Sequence, residues 1–204
     1  MKFVHHAINT LQLDAEIVAV ISDRECGSID YAEKNGIPTK VFKPWRELTE
    51  DIVEAIKSFS PDFVITNIFK ILPKEIFNCC DAQFINLHYS LLPAFGGVIG
   101  FKTLEMAQAA NSQIIGATCH YVTEEVDGGK IISQAAMPVE WDEAFDAIGD
   151  KVFRIACKTF LNGLLVVDGK SQGRSNYSGV IYSPELRYDD SVFTESFWTT
   201  IKNS

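Results

Sequence analysis

The chain has 204 residues, 47% hydrophobic and 22% charged, which suits one globular core and excludes disordered and fibrous classes. Its net charge of −9 argues against a nucleic-acid partner, because binding to phosphate backbones requires clustered Lys and Arg. No apolar run approaches the length of about 18 residues that indicates a membrane span, and the start MKFVHH lacks a signal-peptide pattern. We therefore expect a cytoplasmic protein without a membrane partner.

Helices and strands alternate in the predicted first half of the chain. The predicted helices cover residues 5–13, 27–36 and 47–59, with Ser28 as N-cap and Gly36 as the end of the second. The predicted strands cover residues 15–21, 39–42 and 62–66. Since these strands are apolar on both faces, they predict an α/β fold with a Rossmann-like, mostly parallel sheet and helices on both faces.

The second half continues from an apolar loop, NIFKIL, at residues 67–72. Helices are predicted at 74–79, at 101–110 and at 142–165. Strands are predicted at 84–86, 114–122 and 130–139, the last two joined by the loop TEEVDGG. The long helix should close a domain of residues 1–168, and residues 169–204 are predicted to form an extension without its own core.

The cysteines are scattered and show no C-x-x-C spacing. They are Cys26, Cys79, Cys80, Cys119 and Cys157. This spacing argues against a disulfide framework or a zinc site, and we interpret the five as buried, reduced thiols. The sequence predicts no metal.

Asn86 and His88 lie where the strand after residue 84 meets a turn-rich segment. The end of a strand in an α/β sheet is where ligands collect. There an amide can polarise a carbonyl oxygen and an imidazole can transfer a proton. For this pair alone, ordinary turn chemistry is the simpler interpretation.

Asp127 lies in the TEEVDGG loop, before two glycines that allow a tight turn. An isolated Asp-Gly pair is usually only a turn. Here it follows a strand that contains His120, about forty residues after Asn86 and His88. The joint pattern favours a site formed by both segments.

The segments INLHYSLLPAF and GATCHYVTEEVDGGKII resemble the folate-dependent formyltransferases, over about residues 15–167. In overall form the chain is most similar to the small members that act on glycinamide ribonucleotide. It also resembles the catalytic domain of formyltetrahydrofolate deformylase. The resemblance implies the formyltransferase fold and the co-substrate 10-formyltetrahydrofolate, with a small-molecule amine as acceptor.

The resemblance also implies roles for single residues. Asn86 would hydrogen-bond the formyl oxygen, His88 would stabilise the oxyanion and pass a proton, and Asp127 would act as a base through a water. The residues implied to bind the cofactor are Phe69, Lys70, Ile71, Leu72, His120, Val122, Thr123, Glu124, Glu125 and Val126. Alternatively, NIFKIL is part of the hydrophobic core, and His120 is a buried polar residue whose hydrogen bonds are made within the protein.

Two features depart from the family pattern. The N-terminal strand and its glycine-rich phosphate loop are missing or shortened, with residues 1–4 as the remaining stub of the strand. Phe153 and Ala156 stand where the glycinamide ribonucleotide enzymes carry Gln and Glu. The default prediction is formyl transfer to glycinamide ribonucleotide. The alternatives are hydrolysis to formate, a sugar-nucleotide acceptor, or an inactive folate-binding homologue. The number of subunits stays open, with a homodimer among the options.

Overall fold

The computed structural model describes residues 1–68, 70–170 and 179–204. Two compact units make up the chain. Unit 1 comprises Met1–Val64, Leu72–Gln83 and Val192–Ser204, and unit 2 comprises Ile65–Ile71 and Phe84–Ser191. In the described ranges no helix has the length and apolar character needed to cross a membrane.

The helices and strands follow one another along the chain with short connections. The helices are α1 (Lys2–Leu11), α2 (Gly27–Lys34), α3 (Thr49–Phe59), α4 (Lys74–Phe77), α5 (Lys102–Ala109), α6 (Phe145–Val167) and α7 (Glu195–Asn203). The strands are β1 (Val20–Ser22), β2 (Thr39–Val41), β3 (Phe63–Thr66), β4 (Gln83–His88), β5 (Ile114–Tyr121), β6 (Ile131–Pro138) and β7 (Ile181–Ser183).

Unit 1 contains a two-stranded parallel sheet of β1 and β2. The predicted strand at 15–21 is wrong before Val20, because the partner strand is short. Pro38 precedes β2 and has no N–H with which to extend the backbone hydrogen bonds between the two strands. Its carbonyl accepts the hydrogen bond from the Val20 amide, where the pairing begins. The predicted cap at Ser28 is also wrong, since α2 begins at Gly27 after the N-cap residue Cys26.

Residues 1–4 do not form the predicted strand stub, since α1 begins at Lys2. Phe3, Val4 and Ala7 are buried at helical spacing. The Phe3 ring stacks on Trp198 of α7 with centroids 5.6 Å apart and makes an edge contact with Phe193. This aromatic packing gives α1 its apolar face and explains why the segment is helical.

The second sheet has five strands in the order β3-β4-β5-β6-β7. The pairs β4–β5, β5–β6 and β6–β7 are antiparallel, whereas β1–β2 is parallel. The predicted α/β class is therefore confirmed, with mixed rather than mostly parallel pairing. The described part of the predicted extension contributes β7 to this sheet and α7 to unit 1. The boundary after residue 168 stays a prediction.

Helix α6 packs against β5 and β6. The close approach depends on Gly163, where a Cβ atom would lie 2.5 Å from Cys119 Sγ. All five cysteines are free, and Cys119 and Cys157 are buried as predicted. The prediction of burial is wrong for Cys26, Cys79 and Cys80, which are half-buried because they lie in bends and at the N-cap outside the regular elements.

Candidate active site

The polar side chains of three antiparallel strands share one face of the sheet. Asn86 of β4 pairs with His120 of β5, and His88 pairs with Thr118. Thr118 pairs in turn with Gln134 of β6. Residues directly opposite one another project to the same side of a sheet, so these five side chains form one polar face. We call it the site face.

His88 is buried at the last position of β4, and both of its ring nitrogens face acceptors. Nε2 lies 3.1 Å from the Phe95 carbonyl oxygen. Nδ1 lies 3.3 Å from Asp127 Oδ2. A neutral imidazole has one N–H and can donate to only one of these oxygens, whereas an imidazolium donates to both. The surroundings of His88 therefore suit the charged ring.

Asp127 is held in the left-handed region at φ 53°, which Asp and Asn adopt more readily than most residues. The Gly97 amide donates to Oδ2 at 2.8 Å. The loop then returns against β5 at Gly129, where a Cβ atom would lie 1.7 Å from the Tyr121 carbonyl oxygen. Only glycine fits there, and this tight return fixes the carboxylate against the site face.

His120 is buried, and its two nitrogens have different surroundings. Nδ1 lies 2.9 Å from the Tyr121 carbonyl oxygen, so Nδ1 carries the proton of the neutral ring. Nε2 lies 3.5 Å from Asp127 Oδ1 and has no hydrogen-bond partner among the described residues. Burial lowers the pKa of His120, and the neighbouring imidazole of His88 adds to this effect. The Tyr121 carbonyl and Asp127 act in the opposite direction.

The segment 90–97, which we call the strap, carries the backbone groups that contact His88 and Asp127. Thr118 Oγ1 donates to the Ser90 carbonyl at 2.7 Å and accepts from the Leu92 amide at 3.0 Å. Gln134 Nε2 donates to the Leu92 carbonyl at 3.1 Å and to Thr118 Oγ1 at 3.0 Å. The strap is thus anchored to β5 and β6.

Sequence reasoning missed Thr118 and Gln134. The alternation of side chains along β5 indicates Thr118, since it lies two residues before His120 and therefore on the same face. The predicted catalytic residues His88 and Asp127 are in contact, and His120 joins them. Asn86 lies opposite His120, half-buried, and its side chain has no hydrogen bond to any residue in the described part of the chain.

The other residues expected to bind the cofactor lie mostly at the surface. Ile71 and Val126 are exposed apolar side chains, 79% and 56% accessible. Lys70, Thr123, Glu124 and Glu125 are exposed, whereas Leu72 and Val122 are half-buried. Phe69 lies outside the described residues. Cofactor binding by this set stays a prediction. No group of three or more His, Cys, Asp or Glu residues in the described ranges is arranged to hold a metal ion.

Comparison with known proteins gives a consistent result. The family model described as formyl transferase matches residues 1–164. The chain is 30% identical over 160 residues to the chloroplastic phosphoribosylglycinamide formyltransferase of Vigna unguiculata, covering 74% of this chain and 51% of that protein. It is 26% identical over 199 residues to phosphoribosylglycinamide formyltransferase of Haemophilus influenzae, covering 87% and 92%. The chain spans about half the length of the curated plant relatives it matches.

Solved structures show the same similarity. A phosphoribosylglycinamide formyltransferase from Anaplasma phagocytophilum is 27% identical with a TM-score of 0.72, covering 92% of this chain and 93% of that one. A formyltetrahydrofolate deformylase from Pseudomonas syringae is 27% identical with a TM-score of 0.70, covering 81% and 57%.

Proposed function

Because the chain belongs to the formyl transferase family, we propose that it transfers a formyl group from 10-formyltetrahydrofolate to the amine of glycinamide ribonucleotide. The observation that carries this proposal is the contact of His88 and His120 with one carboxylate, Asp127, on the face that also bears Asn86. An amide, an imidazole and a carboxylate on one surface are the groups that acyl transfer to an amine requires.

Asn86 is the donor for the formyl oxygen. Its side-chain amide has no hydrogen bond to the described residues, so its N–H groups are available to a substrate. A hydrogen bond to that oxygen strengthens as negative charge develops on it during attack. 10-Formyltetrahydrofolate supplies the formyl group that is transferred.

His88 acts as the charged donor at the same carbon. Its Nε2 is occupied by the Phe95 carbonyl, so it reaches the formyl group by exchanging that bond for one to the substrate. Asp127 keeps the ring oriented through Nδ1 during this exchange. The ring then stabilises the oxyanion and donates a proton to the departing nitrogen.

Asp127 removes the proton from the attacking amine through a water. Its Oδ2 is held by the Gly97 amide and His88, whereas Oδ1 faces only the unpartnered nitrogen of His120 among the contacts described. Oδ1 is therefore the oxygen available to a water. The fixed loop backbone means that the carboxylate needs no reorientation when the amine arrives.

The proposal of glycinamide ribonucleotide as acceptor rests on the names of the relatives. The plant, Haemophilus and Anaplasma proteins are all named phosphoribosylglycinamide formyltransferases. Phe153 and Ala156 replace the Gln and Glu expected on α6, so acceptor contacts must come from other residues. The exposed apolar side chains of Ile71 and Val126 are suited to contact the flat pterin ring of the cofactor.

The test is incubation of the purified protein with 10-formyltetrahydrofolate, with and without glycinamide ribonucleotide. We expect tetrahydrofolate to form only when the acceptor is present, and Asp127→Asn to serve as the inactive control. Formate released without acceptor would establish hydrolysis instead, the reaction that the deformylase neighbour makes the main alternative. Absence of both products would contradict an enzymatic function.

A further inference from the structure

The unpartnered nitrogen of His120 lies at the centre of the site, beside the carboxylate of Asp127. Nε2 is buried and has no hydrogen-bond partner in the described ranges, yet it lies 3.5 Å from Asp127 Oδ1. A buried polar atom without a partner costs free energy and requires an explanation. The neutral ring offers a lone pair at this position, because its proton lies on Nδ1, next to the Tyr121 carbonyl.

Protonation of Nε2 would give each ring nitrogen of His120 an N–H that faces an acceptor. The resulting imidazolium donates from Nδ1 to the Tyr121 carbonyl and from Nε2 to the Asp127 carboxylate. In the neutral state, by contrast, a lone pair faces a carboxylate oxygen. The geometry therefore matches the protonated ring better than the neutral one.

Burial acts against this geometric preference. It lowers the pKa of His120, with a smaller contribution from His88, whereas the Tyr121 carbonyl and Asp127 raise it. The other residues paired with His120 in the sheet, Asn86 of β4 and Ile131 of β6, are uncharged. Burial thus favours the neutral ring, while the Tyr121 carbonyl and the Asp127 carboxylate are placed to accept hydrogen bonds from the charged ring.

We propose that His120 accepts on Nε2 the proton that the attacking amine loses. This inference rests on the proposed formyl transfer, in which Asp127 takes the proton of the amine through a water. The carboxylate then passes this proton to His120 and stabilises the resulting imidazolium. His120 is then a proton acceptor of the reaction, not a ligand of the cofactor.

The proton balance closes within the three side chains and water. The amine forms a C–N bond to the formyl carbon and loses one proton, which passes through the water to Asp127 Oδ1 and from there to His120 Nε2. The bond between that carbon and N10 breaks, and N10 receives one proton from His88. Asp127 lies at Nδ1 of His88, whereas the proton that His88 donates leaves from Nε2. After the transfer His120 therefore returns its proton through Asp127 to water, and His88 Nε2 takes one proton from water.

The kinetic test uses His120→Gln, whose amide is polar but does not accept a proton. We expect kcat to fall about 10²-fold, a typical contribution of one general base. KM for 10-formyltetrahydrofolate should stay nearly constant, and the acid limb of the kcat profile should disappear. Ser133→Ala is the matched control, because Ser133 is buried in β6 and bonds to the Thr159 carbonyl of α6. A His120→Gln enzyme with a rate near wild type, or one changed only in KM, overturns the inference.

Nitrogen NMR of the imidazoles tests the same point without turnover. In the wild type we expect His120 to carry its proton on Nδ1 and to titrate below the ordinary value of about 6.5. Asp127→Asn should lower this pKa further, because the carboxylate that raises it is lost. A proton on Nε2 at neutral pH, or a pKa unaffected by Asp127→Asn, overturns the inference. Absence of formyl transfer in the wild type would refute the proposed function instead.

Discussion

The two faces of the β5–β6 hairpin are built from alternating residues of the same strands but have different partners. On one face Cys119 and Ser133 lie against α6, with Gly163 allowing the close approach. On the site face Thr118 and Gln134 bond to backbone carbonyls of the strap, and His120 bonds to the Tyr121 carbonyl of β5 and faces Asp127. The packed face holds the strands rigidly, so that the other face can position polar groups. Substitutions on the two faces should therefore separate stability from turnover.

Asp127→Asn should have the largest effect on turnover. Asn accepts the left-handed backbone of this position and keeps a side chain of the same shape. It loses the charge that orients His88 and His120. We expect kcat to fall about 10³-fold or more, which lies within the range of rate losses caused by removing a general base. The free energy of unfolding should change little. Steady-state kinetics and urea unfolding measure the two quantities. A variant with near-normal rates would refute the mechanism.

Gln134→Glu tests whether the strap positions the site. A carboxylate of the same size cannot donate to the Leu92 carbonyl or to Thr118 Oγ1, so it faces the strap carbonyl without a hydrogen bond. We expect kcat to fall about tenfold, since small displacements of catalytic groups slow reactions strongly.

Ser133→Ala is the matched change on the packed face, at the position just before Gln134. It removes one buried hydrogen bond to the Thr159 carbonyl and should cost about 1 kcal/mol of stability. Its kcat should stay close to wild type. Equal losses of kcat in both variants would show that the two faces are not independent.

Gly163→Ala should reduce stability and leave turnover nearly unchanged. The new Cβ atom would lie 2.5 Å from Cys119 Sγ, so α6 or β5 must shift. Overpacking of this kind costs about 1–3 kcal/mol, partly offset by the better helix propensity of Ala. Thermal unfolding measures the loss. Cys119→Ala in the same chain should recover part of it, because it removes the clashing sulfur.

The hairpin itself could be predicted from the sequence, since both strands have a strong apolar pattern and the DGG loop indicates the turn. Asn86, His88 and Asp127 were singled out as candidate site residues because they occur in motifs. Phe95, Gly97 and Gln134 were missed because their contacts to His88, Asp127 and Leu92 depend on how the strap crosses the sheet. The predicted strand stub at residues 1–4 was wrong, because the helix formed there depends on packing against rings of α7 about 190 residues away in the sequence.

The reactivities of Cys119, on the packed face, and Cys26, in unit 1, give the prediction with the smallest effect. Burial raises the pKa of Cys119 on the packed face to about 12. The Ile29 amide and the Ser22 hydroxyl lower the pKa of Cys26, which is half-buried at the N-cap of α2. Since the thiolate is the nucleophile, iodoacetamide at pH 8 should label Cys26 of the folded protein well before Cys119. Peptide mass spectrometry over time measures both sites. Labelling of Cys119 as fast as Cys26 would mean that α6 lifts from the hairpin, and the packed face would then not be the rigid support that the site face requires.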